Sequence, residues 1–257
     1  MSNQVISEIR RDHILNLLKD GRRTDGRRVD DFRKIKFETE VIESADGSAV
    51  VEIGKTKVTA GVKIIPGTPF GDTPNMGVLT TGAELIPMAH SSFESGPPGA
   101  ESIELARVVD RGIRESGMID MSKLCIKEGE EVWMCFLDLY AINYDGNLFD
   151  AFNLASVLAL KTAIIPNEQY GKGDNAPLPI TCLPISVTTT KVGSSLILDP
   201  NFDEEHISSA RLTVTTDDDG NFRAMQKGGQ GSITLEELER CLDMAVAKGK
   251  EIREIIG

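Results

Sequence analysis

Residues 151–160 constrain the fold more than any other segment, because they have the pattern of a helix that is apolar almost all round. Asn153 and Ser156 are the polar residues within it, and Pro166 stops it a few residues later. A helix without a polar face has to be covered on every side, so we expect it to be buried between layers of structure. Asp150, which directly precedes it, is predicted to cap its first turn.

Apolar runs on both sides of this helix predict β-strands. Residues 132–142 are almost continuously apolar, which indicates a central strand, whereas residues 35–41 alternate and should have one wet face. Further strands are expected at 50–53, 56–65, 78–88, 185–190, 195–198, 212–215 and 222–225, with a turn at 217–221. This order of elements predicts an α+β fold with largely antiparallel strand pairing.

Two further helices are expected near the ends of the sequence. Residues 4–20 form an amphipathic helix that needs a surface to pack on. Its apolar positions are Val5, Ile6, Ile9, Ile14, Leu17 and Leu18. Thr234 and Glu237 have the spacing of a capping box, which should open the C-terminal helix.

A stretch rich in Gly, Asn and Pro at 167–179 gives the best internal boundary. We therefore divide the chain into an N-terminal helix and connector at 1–30, a first half at 31–166, and a second half at 180–257 that includes the C-terminal helix. With 257 residues, the chain can bury a sizeable core in one large domain or in two fused units.

The charge of the chain is acidic overall but unevenly distributed. The formal net charge is −12, which is unusual for a free-standing nucleic-acid binder. Residues 1–36 carry ten basic against six acidic residues, a local charge of +4, so the remainder carries −16. Any contact with a polyanion should therefore be local, or shared with a more basic partner.

The cysteines are widely spaced, at Cys125, Cys135, Cys182 and Cys241, and they form no pattern typical of metal ligands. We expect reduced, buried thiols, no metal site and no cofactor. The sequence has neither a segment apolar enough to span a membrane nor the apolar core of a signal peptide. These features favour a soluble, cytoplasmic protein without a membrane partner.

An arginine stripe is the clearest candidate for a binding site. Arg107, Arg111 and Arg114 share one side of a helix that begins after a Pro/Gly loop at 97–99. The opposite side should be buried through Ile103, Leu105, Ala106, Val108, Val109 and Ile113. Three guanidinium groups on a rigid stripe suit phosphate binding. The alternative is a solvated, salt-bridged face, since Glu104, Asp110 and Glu115 lie within helical reach of the arginines.

Several fragments, taken in order, resemble motifs of the RNase PH family. They lie at residues 53–60, 102–105, 144–147 and 198–205. Three more, at 70–77, 107–116 and 224–229, are typical of the non-catalytic ring subunits of the archaeal RNA exosome. The resemblance covers nearly the whole chain from about Gly21 onward.

This resemblance implies an RNase PH-like fold, with two β-sheet layers and helices packed between and around them. It also implies a ring of three heterodimers with a catalytic RNase PH-type paralogue, RNA-binding cap subunits, and single-stranded RNA as the substrate. Such a complex degrades RNA from the 3′ end by phosphorolysis.

Two departures from the family pattern indicate that this chain is not itself catalytic. Active members carry a Ser-Arg pair that holds phosphate, and here Gly99, Ala100 and Glu101 stand in that place. Active members also carry an Asp where Arg211 aligns, and an arginine cannot replace a carboxylate. We therefore expect the chain to structure the active site of its paralogue, with Arg107, Arg111 and Arg114 contacting the RNA backbone there.

Two other functions stay open from the sequence. In the first, the chain is an active homomeric phosphorolytic exoribonuclease in which Asp203, Glu204 or Glu205 replaces the lost acid. In the second, it is a scaffold without an RNA role, which the acidic charge favours slightly.

Several other residues have simpler predicted roles. His13, His90 and His206 are isolated and are expected at the surface or in caps, while Trp133 should pack in a core strand. The arginines at 22–28 either contact a neighbour or RNA, or lie in a solvated connector.

Overall fold

A computed structural model describes residues 2–257, with side chains described from Arg10 onward. Its helices are α1 (Ser2–Lys19), α2 (Ala100–Ser116), α3 (Leu148–Lys161), α4 (Phe202–His206) and α5 (Leu235–Ile256). Its strands are β1 (Ile35–Thr39), β2 (Gly47–Ile53), β3 (Thr56–Gly67), β4 (Val78–Leu85), β5 (Cys125–Lys127), β6 (Glu131–Asn143), β7 (Ile164–Ile165), β8 (Ala176–Pro177), β9 (Ile185–Val192), β10 (Ser195–Leu198), β11 (Ala210–Thr216) and β12 (Phe222–Gly228). Short 3₁₀ turns lie at Met121–Leu124 and Glu168–Tyr170.

The strands form two main sheets. The first has the order β1-β2-β3-β6-β4, with β5 paired to β6, and the second has the order β10-β9-β11-β12. Strand β4 pairs with β6 in parallel, and the other pairs of these sheets are antiparallel. The prediction of an α+β fold with largely antiparallel pairing is therefore confirmed, and β6 lies inside its sheet as its apolar sequence predicted.

Helix α3 lies between the two sheets, packed on β2 and β3 of the first and on β9 of the second. All of its residues from Leu148 to Leu160 are buried. Each large apolar side chain buried in this way contributes about 1.5–3 kcal/mol to folding. The expectation from residues 151–160 is confirmed, and a single apolar core joins the two sheets.

The prediction that Asp150 caps this helix is wrong. The helix starts at Leu148, with Asn147 in the cap position, so Asp150 lies inside the first turn. Its Oδ1 accepts the Thr188 hydroxyl at 2.7 Å, and its Oδ2 accepts the backbone N–H of Thr188 at 3.0 Å and Asn147 Nδ2 at 2.8 Å. Asp150 thus fixes α3 to the second sheet, a role that local capping rules cannot detect.

The connector after α1 is only partly solvated, and a contact of its exposed Arg22 and Arg28 with a neighbour or RNA stays a prediction. Arg23 is buried and forms a two-pronged ion pair with Glu204, at 2.9 and 2.5 Å. Arg27 pairs with Asp199 at 3.0 Å, whereas the exposed Arg28 pairs with Asp30. The connector is therefore bound to the second half of the chain by its arginines, because carboxylates distant in sequence lie under it.

Helix α1 packs on the second sheet through Ile14 and Leu18, which contact Val192 and Ile197. The predicted apolar positions Val5, Ile6 and Ile9 lie outside the described side chains. Among the described residues, none of the helices combines the length and apolarity needed to cross a membrane.

Several predicted boundaries need correction. The strand expected to end at residue 88 ends at Leu85, and the expected linker at 167–179 contains a 3₁₀ turn and β8, which pairs with β7. Cys135 and Cys241 are buried, but Cys125 and Cys182 are only half-buried. The capping box at Thr234 and Glu237 is present as predicted.

Asp150 should make stability depend on pH. Burial raises its pKa from the usual 3.8 to about 7, so the folded chain binds this proton more tightly than the unfolded chain. The resulting stabilisation is complete in acid and is lost as the pH rises from about 4 to 7. We expect Asp150→Asn to remove that loss. As the pH rises from 5 to 8, the free energy of unfolding of the variant should therefore increase by about 1–3 kcal/mol relative to that of wild type.

Urea unfolding at several pH values measures this difference. Asp243→Asn, which removes an exposed carboxyl from α5, is the matched control and should follow the wild-type profile. Parallel profiles for Asp150→Asn and wild type would contradict the prediction.

Candidate nucleic-acid interface

Helix α2 presents the arginine stripe to solvent. It starts after Gly99 and ends at Gly117, whose φ of 69° is the left-handed conformation typical of glycine after a helix. Its buried face consists of Ser102, Leu105, Ala106, Val108, Val109, Gly112 and Ile113. Ile103 was expected on that face but is 49% exposed, since it lies one turn before Arg107 on the outer side.

Close packing holds this helix in place between the edges of both sheets. It contacts β4, the edge strand of the first sheet, and β12, the edge strand of the second. The Ser102 hydroxyl donates to the Ala83 carbonyl on β4 at 2.9 Å. At Gly112 a Cβ would lie 3.2 Å from Thr215 Oγ1, so glycine allows the helix to approach β11 closely.

Arg107, Arg111 and Arg114 are all exposed and line one open groove. Strand β4 forms its opposite wall with Leu79, Thr80 and Thr81, which sequence reasoning did not identify. No local pattern marked these residues, because they reach α2 only through the packing of β4 beside it. The structure thus brings together all three predicted arginines.

The three arginines differ in their partners. Within the described side chains, Arg107 and Arg111 make neither an ion pair nor a side-chain hydrogen bond. Arg114 pairs with Asp110, from Nη2 at 2.9 Å and from Nε at 3.2 Å, and its Nη2 also donates to the Leu79 carbonyl at 3.1 Å. The alternative of a salt-bridged face therefore holds for Arg114 alone.

Glu104 does not neutralise the arginine stripe, because its carboxylate is bound by a residue of the second sheet. Arg211 of β11 donates from Nη2 to Glu104 Oε1 at 2.7 Å. The guanidinium of Arg211 also lies over the Phe149 ring, 3.8 Å from the ring centre, in a cation–π arrangement. This contact joins the two halves of the chain and engages the Glu104 carboxylate, which lies three positions before Arg107.

Around Arg211 the start of α2 is acidic. Burial raises the pKa of Glu101, and the nearby Glu205 and Glu104 carboxylates raise it further, while Arg211 opposes them. Burial also raises the pKa of Glu205, which accepts the Asn147 backbone N–H at 2.9 Å and the Tyr144 hydroxyl at 3.2 Å. A site in which three carboxyl groups face one guanidinium repels a phosphate dianion.

Two of the three carboxylates from which a homomeric enzyme could draw its acid are engaged elsewhere. Asp203 pairs with Arg10 at the surface, at 3.3 Å, and Glu204 is fully buried against Arg23. Glu205 is the one of the three that lies near Glu101 and Arg211. Of the three alternatives for the lost acid, Glu205 is thus the one that the structure places near Arg211, and its carboxylate already accepts hydrogen bonds from Asn147 and Tyr144.

The predicted histidine roles hold only in part. His13 and His206 are exposed, but His90 packs at 4.7–5.9 Å between the rings of Phe93, Tyr144 and Phe202. Local sequence patterns could not show this cluster, since Tyr144 and Phe202 are distant from His90 in the sequence. Trp133 is buried in β6, as predicted.

Replacing Arg211 should expose the acidic character of its surroundings. We expect Arg211→Gln to lower the free energy of unfolding by about 1–3 kcal/mol at pH 7, because the Glu104 ion pair and the contact with Phe149 are lost. The loss should shrink towards pH 4, where protonation of Glu101 and Glu205 removes their mutual repulsion. Arg240→Gln, at an exposed position of α5, should change stability little at either pH. A loss that is equal at pH 4 and pH 7 would argue against this electrostatic role.

Comparisons with known proteins agree along the whole chain. Residues 31–166 match the 3′ exoribonuclease family, domain 1, and residues 182–248 match domain 2 of the same family. The exosome complex component Rrp42 of Methanocella arvoryzae is 49% identical over 254 residues, covering 99% of this chain and 98% of the relative. The protein of the same name from Thermoplasma volcanium is 50% identical over 253 residues, covering 98% and 97%.

A solved structure has the same fold. A chain of the Archaeoglobus fulgidus exosome with RNA bound to the active site superposes with a TM-score of 0.96 at 45% identity. The match covers 98% of this chain and 100% of that one. The two sheets around α3 are therefore an RNase PH-like fold.

Proposed function

Since this chain belongs to the 3′ exoribonuclease family, we propose that it is a non-catalytic ring subunit of an archaeal-type RNA exosome and binds RNA for a catalytic paralogue. The observation that carries the proposal is the arginine groove beside a site that repels phosphate. Its place in an exosome is supported by relatives named as exosome components and by an exosome structure with RNA bound to the active site. The homomeric enzyme is not favoured.

The lack of catalysis follows from the chemistry of phosphorolysis. The reaction needs a bound inorganic phosphate and an acidic group placed at the scissile bond. In this chain Gly99 and Ala100 offer no side-chain donor, and the adjacent Glu101 is an acid whose pKa is raised by burial. Arg211 lies where the resemblance expects the acid, and it is already bound to Glu104.

The arginine groove supplies the contact that this subunit contributes. Arg107 and Arg111 are one helical turn apart on a rigid helix, and both are free of internal partners among the described side chains. Guanidinium groups held in this way bind successive phosphates and position an RNA strand without reading its sequence. Arg114 lines the same groove but is paired with Asp110, so it ranks third among the proposed contacts and contacts RNA only when that pair opens.

We further propose that the chain forms a ring of three heterodimers with the catalytic paralogue. RNA-binding cap subunits bind this ring, and the complex is cytoplasmic. Phe222 and Met225, exposed on the edge strand β12, support cover by a neighbouring subunit. We assign residues 31–166 and 180–257 to the two halves of the family fold. The net charge of −12 is compatible with local RNA binding, because the groove itself is basic.

The double variant Arg107→Glu with Arg111→Glu tests the RNA contact in the complex assembled with the catalytic paralogue. We expect the affinity for a short poly(A) strand to fall at least tenfold at 0.1 M salt. The slope of log K against log salt should flatten by about 1.4, because two phosphate contacts are lost. Fluorescence anisotropy across a salt series measures both quantities.

The matched control is Lys248→Glu with Lys250→Glu on α5, which makes the same change in charge away from the groove. It should preserve the salt slope. An unchanged slope in the groove variant would contradict the RNA-binding role and favour a scaffold.

A further inference from the structure

Asp110 is the acidic residue within the arginine stripe, and it holds Arg114 in a fixed position. Its carboxylate accepts hydrogen bonds from Arg114 Nη2 at 2.9 Å and Arg114 Nε at 3.2 Å. It also accepts one from the Thr81 hydroxyl at 3.3 Å. Arg114 in turn donates to the Leu79 carbonyl on β4. Four groups therefore form one connected network between α2 and the β4 wall of the groove.

We propose that Asp110 is a positioning residue that withholds Arg114 from RNA and so sets the strength of RNA binding. This inference rests on the proposed function. Asp110 neutralises one of the three guanidinium groups, so the groove offers two free cations. Arg114 serves as a link between α2 and the free edge of β4.

The geometry explains why Arg114 differs from its neighbours. An acidic residue four positions before an arginine on a helix is well placed to pair with it, and Asp110 has that relation to Arg114. The carbonyl of Leu79 adds a third bond, which a surface ion pair of this spacing ordinarily lacks. The Thr81 hydroxyl on the half-buried carboxylate and the Leu79 carbonyl on the guanidinium make this pair more rigid than an isolated surface salt bridge.

The other acidic residues near the stripe cannot act in this way. Glu104 is taken by Arg211, and Glu115, although exposed at the end of the groove, makes no ion pair among the described side chains. Asp110 is therefore the acid that directly determines how many arginines the groove presents.

Releasing Arg114 should strengthen RNA binding. In Asp110→Asn the charge that holds the guanidinium is lost, while the amide oxygen can still accept the Thr81 hydroxyl. We expect the assembled complex to bind a short poly(A) strand roughly fivefold more tightly at 0.1 M salt. The salt slope should steepen by about 0.7, which corresponds to one added phosphate contact on a single strand.

The neutral double variant Asp110→Asn with Arg114→Gln gives the decisive comparison. It removes both members of the pair and leaves the net charge unchanged, so RNA affinity and salt slope should stay at wild-type values. If Arg114 contacts phosphate in the wild type, the double variant will lose about 0.7 of slope, and the proposal is overturned.

Glu115→Gln is the control for a general effect of charge. It removes the same charge five residues further along the helix, and its effect should be the same with or without Arg114→Gln. The effect of Asp110→Asn should depend on Arg114. If the two substitutions Asp110→Asn and Arg114→Gln act additively, Asp110 does not work through Arg114 and the proposal is wrong.

The outcomes separate this proposal from the one on which it rests. The Arg107→Glu, Arg111→Glu variant reports on RNA binding by the groove, whatever Asp110 does. If that variant binds RNA normally, the proposed function fails. If it loses RNA binding while the effects of Asp110→Asn and Arg114→Gln are additive, only the present inference fails. Thermal unfolding of each assembled variant shows whether the groove is intact, and the neutral double variant provides the answer should Asp110→Asn alone unfold.

Discussion

The burial of α3 is the constraint on which the rest of the structure depends. A helix without a polar face is stable only when it is covered on all sides, and the two sheets cover it. Its few polar side chains then fix how the second sheet sits on it. Asn153 accepts the Ser186 backbone N–H at 2.7 Å, and Asp150 accepts both donors of Thr188, so each joins α3 to β9 at a defined position.

The place of the candidate RNA contact follows from that arrangement. With α3 between the sheets, α2 lies against their edges, and Gly112 allows it to approach β11 closely. One face of α2 is buried by this packing, and the exposed face carries the arginines. Arg211, from the second sheet, then removes Glu104 from the surface of the stripe. Arg211, which the resemblance aligns with an acid of active family members, thereby also keeps the Glu104 carboxylate away from Arg107.

Local patterns in the sequence predicted the features that depend on neighbouring residues. The strand at 195–198, the capping box at Thr234 and the exposed stripe on α2 are examples, because hydrophobic period and cap chemistry act within a few positions. Features formed by distant partners could not be predicted. The pairing of Arg23 with Glu204 joins residues 181 apart in sequence, and the bonds of Asp150 reach residue 188.

The arginine stripe combines a feature that the sequence predicted, its exposure, with one that it did not, the partner of each arginine. Spacing alone allowed each arginine to pair with an acid on the same helix, and three such acids were available. Which acid remained on the stripe was decided by β11, which binds Glu104, and by β4, which supports the pair of Asp110 with Arg114. The difference in partners between Arg114 and the other two arginines therefore depends on tertiary contacts as well as on the helical spacing of Asp110.

We propose that this chain contributes RNA contacts but no catalysis to the assembled complex. The most direct measurement is phosphate-dependent release of nucleoside diphosphates from a short poly(A) RNA, with this chain alone and with its catalytic paralogue. The account predicts no release by the chain alone and release by the assembled complex. Phosphate-dependent release by the purified chain alone would contradict it.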